Sequence, residues 1–253
     1  MLDIKDIMGR LALERQLFHS EADFQHALAW KIHELQPLAK IRLEVPSGRF
    51  DRRERIDILV TTERTHYALE LKYKKRRLEC LSGGEKFALT NDGAQDIGRY
   101  DFIKDVARLE RYVSSTENTV GCALFLTNDD LYWKASPRGI NSAAFFLHEG
   151  RELDDRNPLA WHERTGEGTM RGRTESFRLG GNYSINWKHY SSIPNLPNAT
   201  FRYLALEIAN LLQLKNDRVG NGFKSVQVKL VGVGEVNVKY DAAGKILDVT
   251  SSE

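Results

Sequence analysis

The stretch from Arg55 to Lys75 alternates apolar and polar positions with the two-residue period of β-strands, and it predicts two consecutive strands. On the first strand, Asp57 points away from the apolar face. On the second, Glu70 and Lys72 share one face. The apolar positions on the opposite faces are Ile56, Ile58 and Val60 in the first strand, and Leu69, Leu71 and Tyr73 in the second. The pattern therefore places three ionisable side chains inside two apolar strands.

The residues between these strands, 62–65, form the natural reversal of the chain. A symmetric hairpin centred between Glu63 and Arg64 sets Asp57 directly opposite Glu70. Cross-strand neighbours have Cβ atoms roughly 4.5–5.5 Å apart, which would let two carboxylates share one cation. Glu-Arg is not a favoured two-residue turn, so a longer loop with a shifted register is the alternative.

Charged side chains in apolar strands need a reason, because an unpaired ion in an apolar setting is very costly. One reason is a site that holds a divalent cation. The other is a set of half-exposed strand positions joined by ordinary cross-strand salt bridges. The apolar run around Asp57 and the order of the flanking elements favour the site.

Cap and period signals define those flanking elements. Ser20 opens a capping-box-like helix start, and Pro37 lies just past the end of that helix. Residues 40–45 alternate as a strand, a long helix runs from about Ala94 to Val113, and residues 120–127 form a buried strand. The order is thus helix, three strands, helix, strand.

This order, together with Asp57 and Glu70-Leu71-Lys72, resembles the PD-(D/E)xK nuclease superfamily, which includes many restriction endonucleases and RecB-like exonucleases. Ile56 stands where the motif has its nominal proline. The resemblance covers residues 18–130, about half of the chain.

The fold that the resemblance implies is α/β. It is a restriction-endonuclease-like core with the order αβββαβ and a mixed central sheet flanked by helices. We assign this core to residues 1–135 and a C-terminal α+β extension to residues 136–253, which could belong to the same compact domain. The extension is predicted to contain hairpin-like strands near 176–190, a helix over 199–214, and strands near 223–231, 234–240 and 245–250.

The resemblance also implies a metal site. Asp57, Glu70 and the carbonyl oxygen of Leu71 would hold Mg²⁺, for which Mn²⁺ could substitute. Such a cation suits oxygen ligands, activates a water and stabilises charge that develops on a phosphodiester. Lys72 would orient or deprotonate the attacking water, or neutralise the intermediate.

Two accessory residues are candidates on the same grounds. Glu21 opens the first helix, where superfamily members often carry an acidic metal-site residue; the alternative is that it complements the helix dipole. Gln95 and Tyr100 open the long helix, where RecB-like nucleases carry Gln-x-x-x-Tyr, but the spacing here is one residue longer. The alternative is a solvated Gln95 and a Tyr100 that packs in the core.

Charge adds a candidate nucleic-acid surface. The 37 Lys and Arg against 35 Asp and Glu leave a net charge of only +2, so the distribution matters more than the total. Lys74, Lys75, Arg76 and Arg77 form a basic run beside the site and could bind phosphates. One face of the long helix could also be basic, with Lys104, Arg108 and Arg111 on it. That face could follow a phosphate backbone or simply be exposed to solvent.

Other function classes lack support in the sequence. The two cysteines, Cys80 and Cys122, form no Cys-x-x-Cys pattern, so neither a zinc knuckle nor an iron–sulfur cluster is indicated. No Gly-x-x-x-x-Gly-Lys-Ser/Thr motif indicates ATP use. Few cysteines, no signal peptide and no membrane-length apolar run predict a cytoplasmic protein.

We therefore expect a Mg²⁺-dependent nuclease that acts on nucleic acid, with double-stranded DNA as the favoured partner, as in restriction, defence or repair endonucleases. Cutting both strands would require two sites and hence a homodimer. The alternatives are a non-catalytic nucleic-acid-binding module on a nuclease-like fold and an end-dependent RecB-like exonuclease.

Overall fold

The structure is a computed structural model that describes residues 2–47, 54–135, 140–154 and 156–209, with the strands 224–230, 234–240 and 246–251. The chain divides into two compact units, Met1–Ala209 and Asn210–Glu253. The first unit is mixed α/β, with a mainly antiparallel central sheet flanked by helices. The second unit contains a three-stranded antiparallel sheet.

Asp3 and Ser20 cap the first two helices with their side chains, whereas the two later helices begin without a side-chain cap. The helices are α1 (Ile4–Glu14), α2 (Glu21–Leu35), α3 (Gln95–Ser115) and the single turn α4 (Glu167–Met170), with a 3₁₀ segment at Ile140–Phe145. The predicted start of α2 is confirmed, because Ser20 Oγ accepts a hydrogen bond from the Asp23 amide at 3.1 Å. Within the described residues no helix is long and apolar enough to cross a membrane.

The strands follow the alternation of the sequence. They are β1 (Lys40–Pro46), β2 (Arg55–Thr61), β3 (His66–Lys74), β4 (Leu78–Ser82), β5 (Glu85–Leu89), β6 (Thr119–Thr127), β7 (Glu152–Leu153), β8 (Tyr183–Ser184), β9 (Lys188–Ser192), β10 (Thr200–Ala209), β11 (Lys224–Leu230), β12 (Gly234–Tyr240) and β13 (Ile246–Ser251). The central sheet has the order β1-β2-β3-β6-β10-β9, and β3 with β6 is its parallel pair.

The hairpin that joins β2 and β3 has the predicted register. Ile58 pairs with Leu69 at one end of the ladder and Thr61 with His66 at the other. The turn is closed by the Thr62 amide, which donates to the Thr65 carbonyl at 3.0 Å. The symmetric hairpin is therefore confirmed, and Asp57 and Glu70 occupy the rung just beyond the last paired one.

Two apolar layers cover the sheet. One contains α1 and α2 with Leu69, Leu71 and Tyr73 of β3, and the other contains α3 with Ala68. Glu70 and Lys72 share the face of Ala68, so the alternation directs them toward α3. Ile56 departs from the predicted alternation, because it packs in the α3 layer, whereas Ile58 and Val60 pack in the α2 layer.

The prediction of a helix over residues 199–214 is wrong for the residues that the structure describes, because Thr200–Ala209 is the strand β10. Both of its faces are buried: Phe201 and Tyr203 pack in the α2 layer, and Leu204 and Leu206 pack in the α3 layer. A strand covered on both sides reads as a continuous apolar run, which resembles a buried helix. Residues 210–214 lie outside the described residues.

The predicted division at residue 135 does not match the one found. Strands β9 and β10 come from the predicted extension yet complete the central sheet, so the first unit continues to Ala209. The three predicted C-terminal strands are present as β11, β12 and β13, which form an antiparallel meander of their own.

Candidate functional site

The site begins where β2 and β3 stop pairing. Beyond the Ile58 and Leu69 rung, side chains take the place of the neighbouring strand: Asp57 Oδ2 accepts from the Leu71 amide at 2.6 Å. One residue pair further, Glu21 Oε2 accepts from the Tyr73 amide at 2.7 Å. Two carboxylates therefore satisfy backbone donors that would otherwise be unpaired at this edge.

The backbone of β1 is irregular beside Asp57. Glu44 adopts a φ of 53°, in the left-handed region that non-glycine residues seldom occupy. Gln25 of α2 donates both to Glu44 Oε1 at 2.9 Å and to the Asp57 carbonyl at 2.8 Å. This local distortion interrupts the ladder and coincides with the inward packing of Ile56.

Asp57 is partly buried among other acidic groups. Burial raises the pKa of Asp57 to about 6. The hydrogen bond from the Leu71 amide opposes the shift, while the charges of Asp105 and Glu21 add to it. Ionised Asp57 is thus poorly compensated in the protein alone.

Glu70 is almost fully buried, with 2 % of its surface exposed. Its Oε2 accepts from Arg108 Nη2, while Oε1 is buried and has no hydrogen-bond partner in the part of the chain that the structure describes. Burial raises the pKa of Glu70 well above its ordinary value, the charges of Asp57 and Asp105 raise it further, and Arg108 opposes them. One oxygen of this carboxylate therefore has no hydrogen-bond partner among the described residues.

Lys72 is held by helix α3. Its Nζ lies 3.1 Å from Asp105 Oδ2, and Asp105 Oδ1 lies 3.2 Å from Arg108 Nη2. Burial alone would lower the pKa of Lys72, but the charges of Asp105 and Glu21 outweigh it and raise that pKa above its ordinary value. The site therefore keeps Lys72 as an ammonium group.

Asp105 and Arg108 are site residues that the sequence analysis missed. Arg108 was grouped with a solvated or phosphate-binding helix face, and that grouping is wrong, because its guanidinium turns inward to Glu70. A signal was present: Asp105 lies between Ile103 and Val106, which both face the core. A charged residue on the apolar face of a helix needs a buried partner.

The charges of the site do not balance. When all four carboxylates (Glu21, Asp57, Glu70 and Asp105) are ionised, they exceed the two cations (Lys72 and Arg108) by two negative charges. A surplus of two, supplied by oxygen ligands, matches a hard divalent cation.

The ligands available to such a cation are few. Across the described residues, no group of three or more His, Cys, Asp or Glu side chains is arranged to hold a metal ion. A cation would therefore depend on Asp57, Glu70 and a backbone oxygen. The Leu71 carbonyl suits this role, since its amide already points to Asp57 and both groups of a strand residue point to the same side. The unpartnered Glu70 Oε1 supplies a second reason that the residues fit a cation.

Gln95 is not brought into this cluster. Its amide donates to Asp129 Oδ2 at 2.7 Å, and it begins α3, about 15 Å along the helix axis from Asp105. Tyr100 is buried and donates to the Glu175 carbonyl at 3.1 Å, so it serves the core. Of the two accessory candidates, Glu21 joins the site and Gln95 does not.

Most of the basic run is already neutralised. Lys75 pairs with Asp92 at 3.0 Å, Arg76 with Asp130 at 2.7 Å, and Arg77 with Glu79 at 2.8 Å. Lys74 is partly exposed and is the member of the run for which the described residues provide no carboxylate partner. The run therefore offers less free charge than its sequence suggests.

Comparison of the chain with protein-family models, with curated proteins and with solved structures finds no match. The function proposed below therefore rests on the residues of this site.

Proposed function

We propose that the chain is a metal-dependent nuclease of the PD-(D/E)xK type that hydrolyses phosphodiester bonds, with double-stranded DNA as the favoured substrate. The observation that carries the proposal is the placement of Asp57 and Glu70 on one rung, where β2 parts from β3, with Lys72 next along the face of Glu70. The three residues are those that the motif requires.

The order of the elements supports the same proposal. Helix α2, strands β1 to β3, helix α3 and strand β6 follow one another as in a restriction-endonuclease-like core, and β3 and β6 are parallel. The hairpin of β4 and β5 is inserted after the motif strand and adds a separate two-stranded sheet. Fold resemblance alone does not give a function, so the site residues carry the greater weight.

In this proposal Asp57, Glu70 and the Leu71 carbonyl hold the cation. Bound Mg²⁺ would supply a water of lowered pKa and neutralise charge on the phosphate. Glu21 keeps the edge of β3 in place through the Tyr73 amide, so that the Leu71 carbonyl stays directed toward Asp57. The protein thus provides a rigid strand edge as the platform for the ligands.

The contacts of Lys72 favour one of its candidate roles. Its ammonium group donates to Asp105, which leaves N–H bonds available for a water or a phosphate oxygen. An ammonium held in this way orients a nucleophile and neutralises charge in the transition state. We assign these roles to Lys72 rather than that of the proton acceptor.

One observation favours a second candidate, a non-catalytic nucleic-acid-binding module. Glu70, a ligand in the proposal above, already has a cationic partner in Arg108. A chain that no longer bound metal could retain such an ion pair for stability. The unbalanced charge around Asp57 and the unpartnered Glu70 Oε1 argue for the enzyme.

The experiment is a cleavage assay on supercoiled plasmid, linear DNA and single-stranded RNA, each with Mg²⁺, Mn²⁺ or EDTA. Wild type is compared with Asp57→Asn and with a control, Asp6→Asn, which alters an exposed carboxylate of α1. Cutting that requires metal and is lost only in Asp57→Asn supports the nuclease. Cutting of linear but not of closed circular DNA identifies the end-dependent type.

Salt-sensitive binding with no cutting of any substrate would overturn the nuclease in favour of the binding module.

Sedimentation of the protein with DNA tests whether it forms a homodimer. A nuclease that cuts both strands at once is expected to sediment as a dimer.

A further inference from the structure

Arg108 occupies a position beside Glu70 that a cation could take. Its Nη2 donates to Glu70 Oε2 and also lies 3.2 Å from Asp105 Oδ1. A single nitrogen thus bridges two carboxylates, an arrangement in which its positive charge replaces that of a metal ion. Arg108 is the group that neutralises Glu70 within the described residues.

The pair is incomplete on both sides. Glu70 Oε1 and Arg108 Nε are both buried, and neither has a hydrogen-bond partner in the part of the chain that the structure describes. Arginine and carboxylate pair best through two parallel bonds, and this pair uses one nitrogen. Buried polar atoms without partners cost free energy, so a better ligand can compete for Glu70.

The Arg108 side chain reaches the protein surface. It lines a surface cleft together with Ser47, Glu54 and Tyr112, and 16 % of its side-chain surface is exposed. Glu54 provides a carboxylate in that cleft, where it lies 3.6 Å from Arg111 Nη2. Rotation about the bonds of the long Arg108 side chain would direct its guanidinium toward this narrow cleft, which must widen to admit it.

We propose that Arg108 is a displaceable counterion for the metal site. It neutralises Glu70 in the metal-free protein, and a divalent cation that binds Asp57 and Glu70 releases the guanidinium into the cleft. This inference rests on the metal site of the proposed function. Metal binding is then an exchange of one cation for another, so Arg108 lowers the affinity of the site for metal while it keeps the metal-free protein folded.

The first test is titration calorimetry of Mn²⁺ into EDTA-dialysed wild type, Arg108→Met and a control, Arg10→Met, which removes an exposed arginine charge from α1. Arg108→Met should lower the Kd for Mn²⁺ at least about tenfold, because a positive charge adjacent to the cation is removed. Arg10→Met should leave the Kd nearly unchanged, since Arg10 pairs with Asp6 on the same helix at 2.9 Å.

The outcomes separate the two proposals. If wild type binds Mn²⁺ and a folded Arg108→Met binds it equally or more weakly, the counterion role of Arg108 is refuted and the metal site is supported. If neither protein binds Mn²⁺, both the counterion and the metal site are wrong.

A second measurement uses the wild-type chain and does not depend on the folding of a variant. Phenylglyoxal modifies accessible guanidinium groups, and peptide mapping reports the rate at each arginine. Mn²⁺ at a concentration that saturates the calorimetric titration should raise the modification rate of Arg108 severalfold and leave that of the exposed Arg10 unchanged. The rise should be absent in Asp57→Asn. An Arg108 rate that is unchanged or lower in Mn²⁺ would overturn the proposal.

Discussion

Lys72 and Asp105 face each other between strand β3 and helix α3, with Lys72 Nζ 3.1 Å from Asp105 Oδ2. Asp105 also contacts Arg108, so one carboxylate positions both cations of the site. A helix residue therefore fixes the geometry of a lysine that belongs to the strand motif.

Asp105→Asn should lower the rate of cleavage at saturating metal about 10- to 100-fold, because a displaced Lys72 no longer meets the reacting groups in register. The KM for DNA should change little, since Asp105 is not expected to contact the substrate. Steady-state kinetics on a plasmid measure both constants, with Asp96→Asn in the first turn of α3 as the control. An unchanged kcat would show that Lys72 needs no positioning by Asp105.

Glu70→Gln should reduce metal-dependent cleavage about 10²- to 10³-fold, as expected when a group that stabilises the transition state through the cation is removed. The fold should persist, because the amide oxygen can still accept from Arg108. Circular dichroism and unfolding by urea check the fold, and the plasmid assay checks the rate. Full activity of a folded Glu70→Gln would remove Glu70 from the site.

Without metal, the stability that Asp57 contributes should fall as the pH rises. Its pKa is about 6 in the folded protein and about 3.9 in an unfolded chain. The folded state therefore binds more protons between these values, so the contribution is full below about pH 4 and is lost as the pH rises through 6.

Urea unfolding in EDTA at pH 4, 5, 6 and 7 tests this for wild type and Asp57→Asn. The free energy of unfolding of wild type, relative to the variant, should fall by up to about 3 kcal/mol across this range. A difference between the two proteins that stays constant with pH would contradict the assignment.

Two substitutions of Glu21 should separate the contribution of its hydrogen bond to stability from the contribution of its charge to metal affinity. Glu21→Ala leaves the Tyr73 amide without an acceptor and should lower the free energy of unfolding by about 1 kcal/mol. Glu21→Gln keeps an acceptor oxygen, so its stability should match wild type, while its Mn²⁺ affinity should fall severalfold because one negative charge is lost. Equal Mn²⁺ affinity of Glu21→Gln and wild type would show that Glu21 supports the edge of β3 and does not contribute to metal binding.

The members of the basic run should differ in their effects on DNA binding. Lys74→Ala should reduce the slope of log K against log salt by about 1, as loss of one phosphate contact does. Arg76→Ala should mainly lower thermal stability, because the Arg76 guanidinium pairs with Asp130 at 2.7 Å and with Asp129 at 3.4 Å. Binding measured at several salt concentrations, together with melting curves, tests both. A loss of salt dependence in Arg76→Ala alone would reverse the assignment.

Local patterns were sufficient for the strands that carry the motif. The two-residue period and the symmetric turn predicted the register of β2 and β3, and Ser20 predicted the start of α2. These features depend on residues close together in the chain. Glu21 was also proposed as a site residue, although its contact with the Tyr73 amide could not be inferred from its helix alone.

Long-range contacts explain what the sequence did not predict. The pairing of Arg108 with Glu70 depends on how α3 packs on β3, and no local signal distinguishes it from a solvated arginine. Strand β10 was mistaken for a helix because neighbours on both faces allow a nearly continuous apolar run. Gln95 lies where the resemblance expected it in sequence, but Asp129 binds it elsewhere in space.

The turn at Thr62–Thr65 sets the register of residues that lie far from it. It lies five residues from Asp57, or about 16 Å along the strand, and it has no atom near the acidic cluster. Surface loops usually accept an inserted residue without consequence. Here a single insertion between Glu63 and Arg64 would slide one strand past the other and turn the Asp57 carboxylate away from Glu70. The length of this turn therefore determines whether the two acidic side chains meet, although the turn itself lies far from both of them.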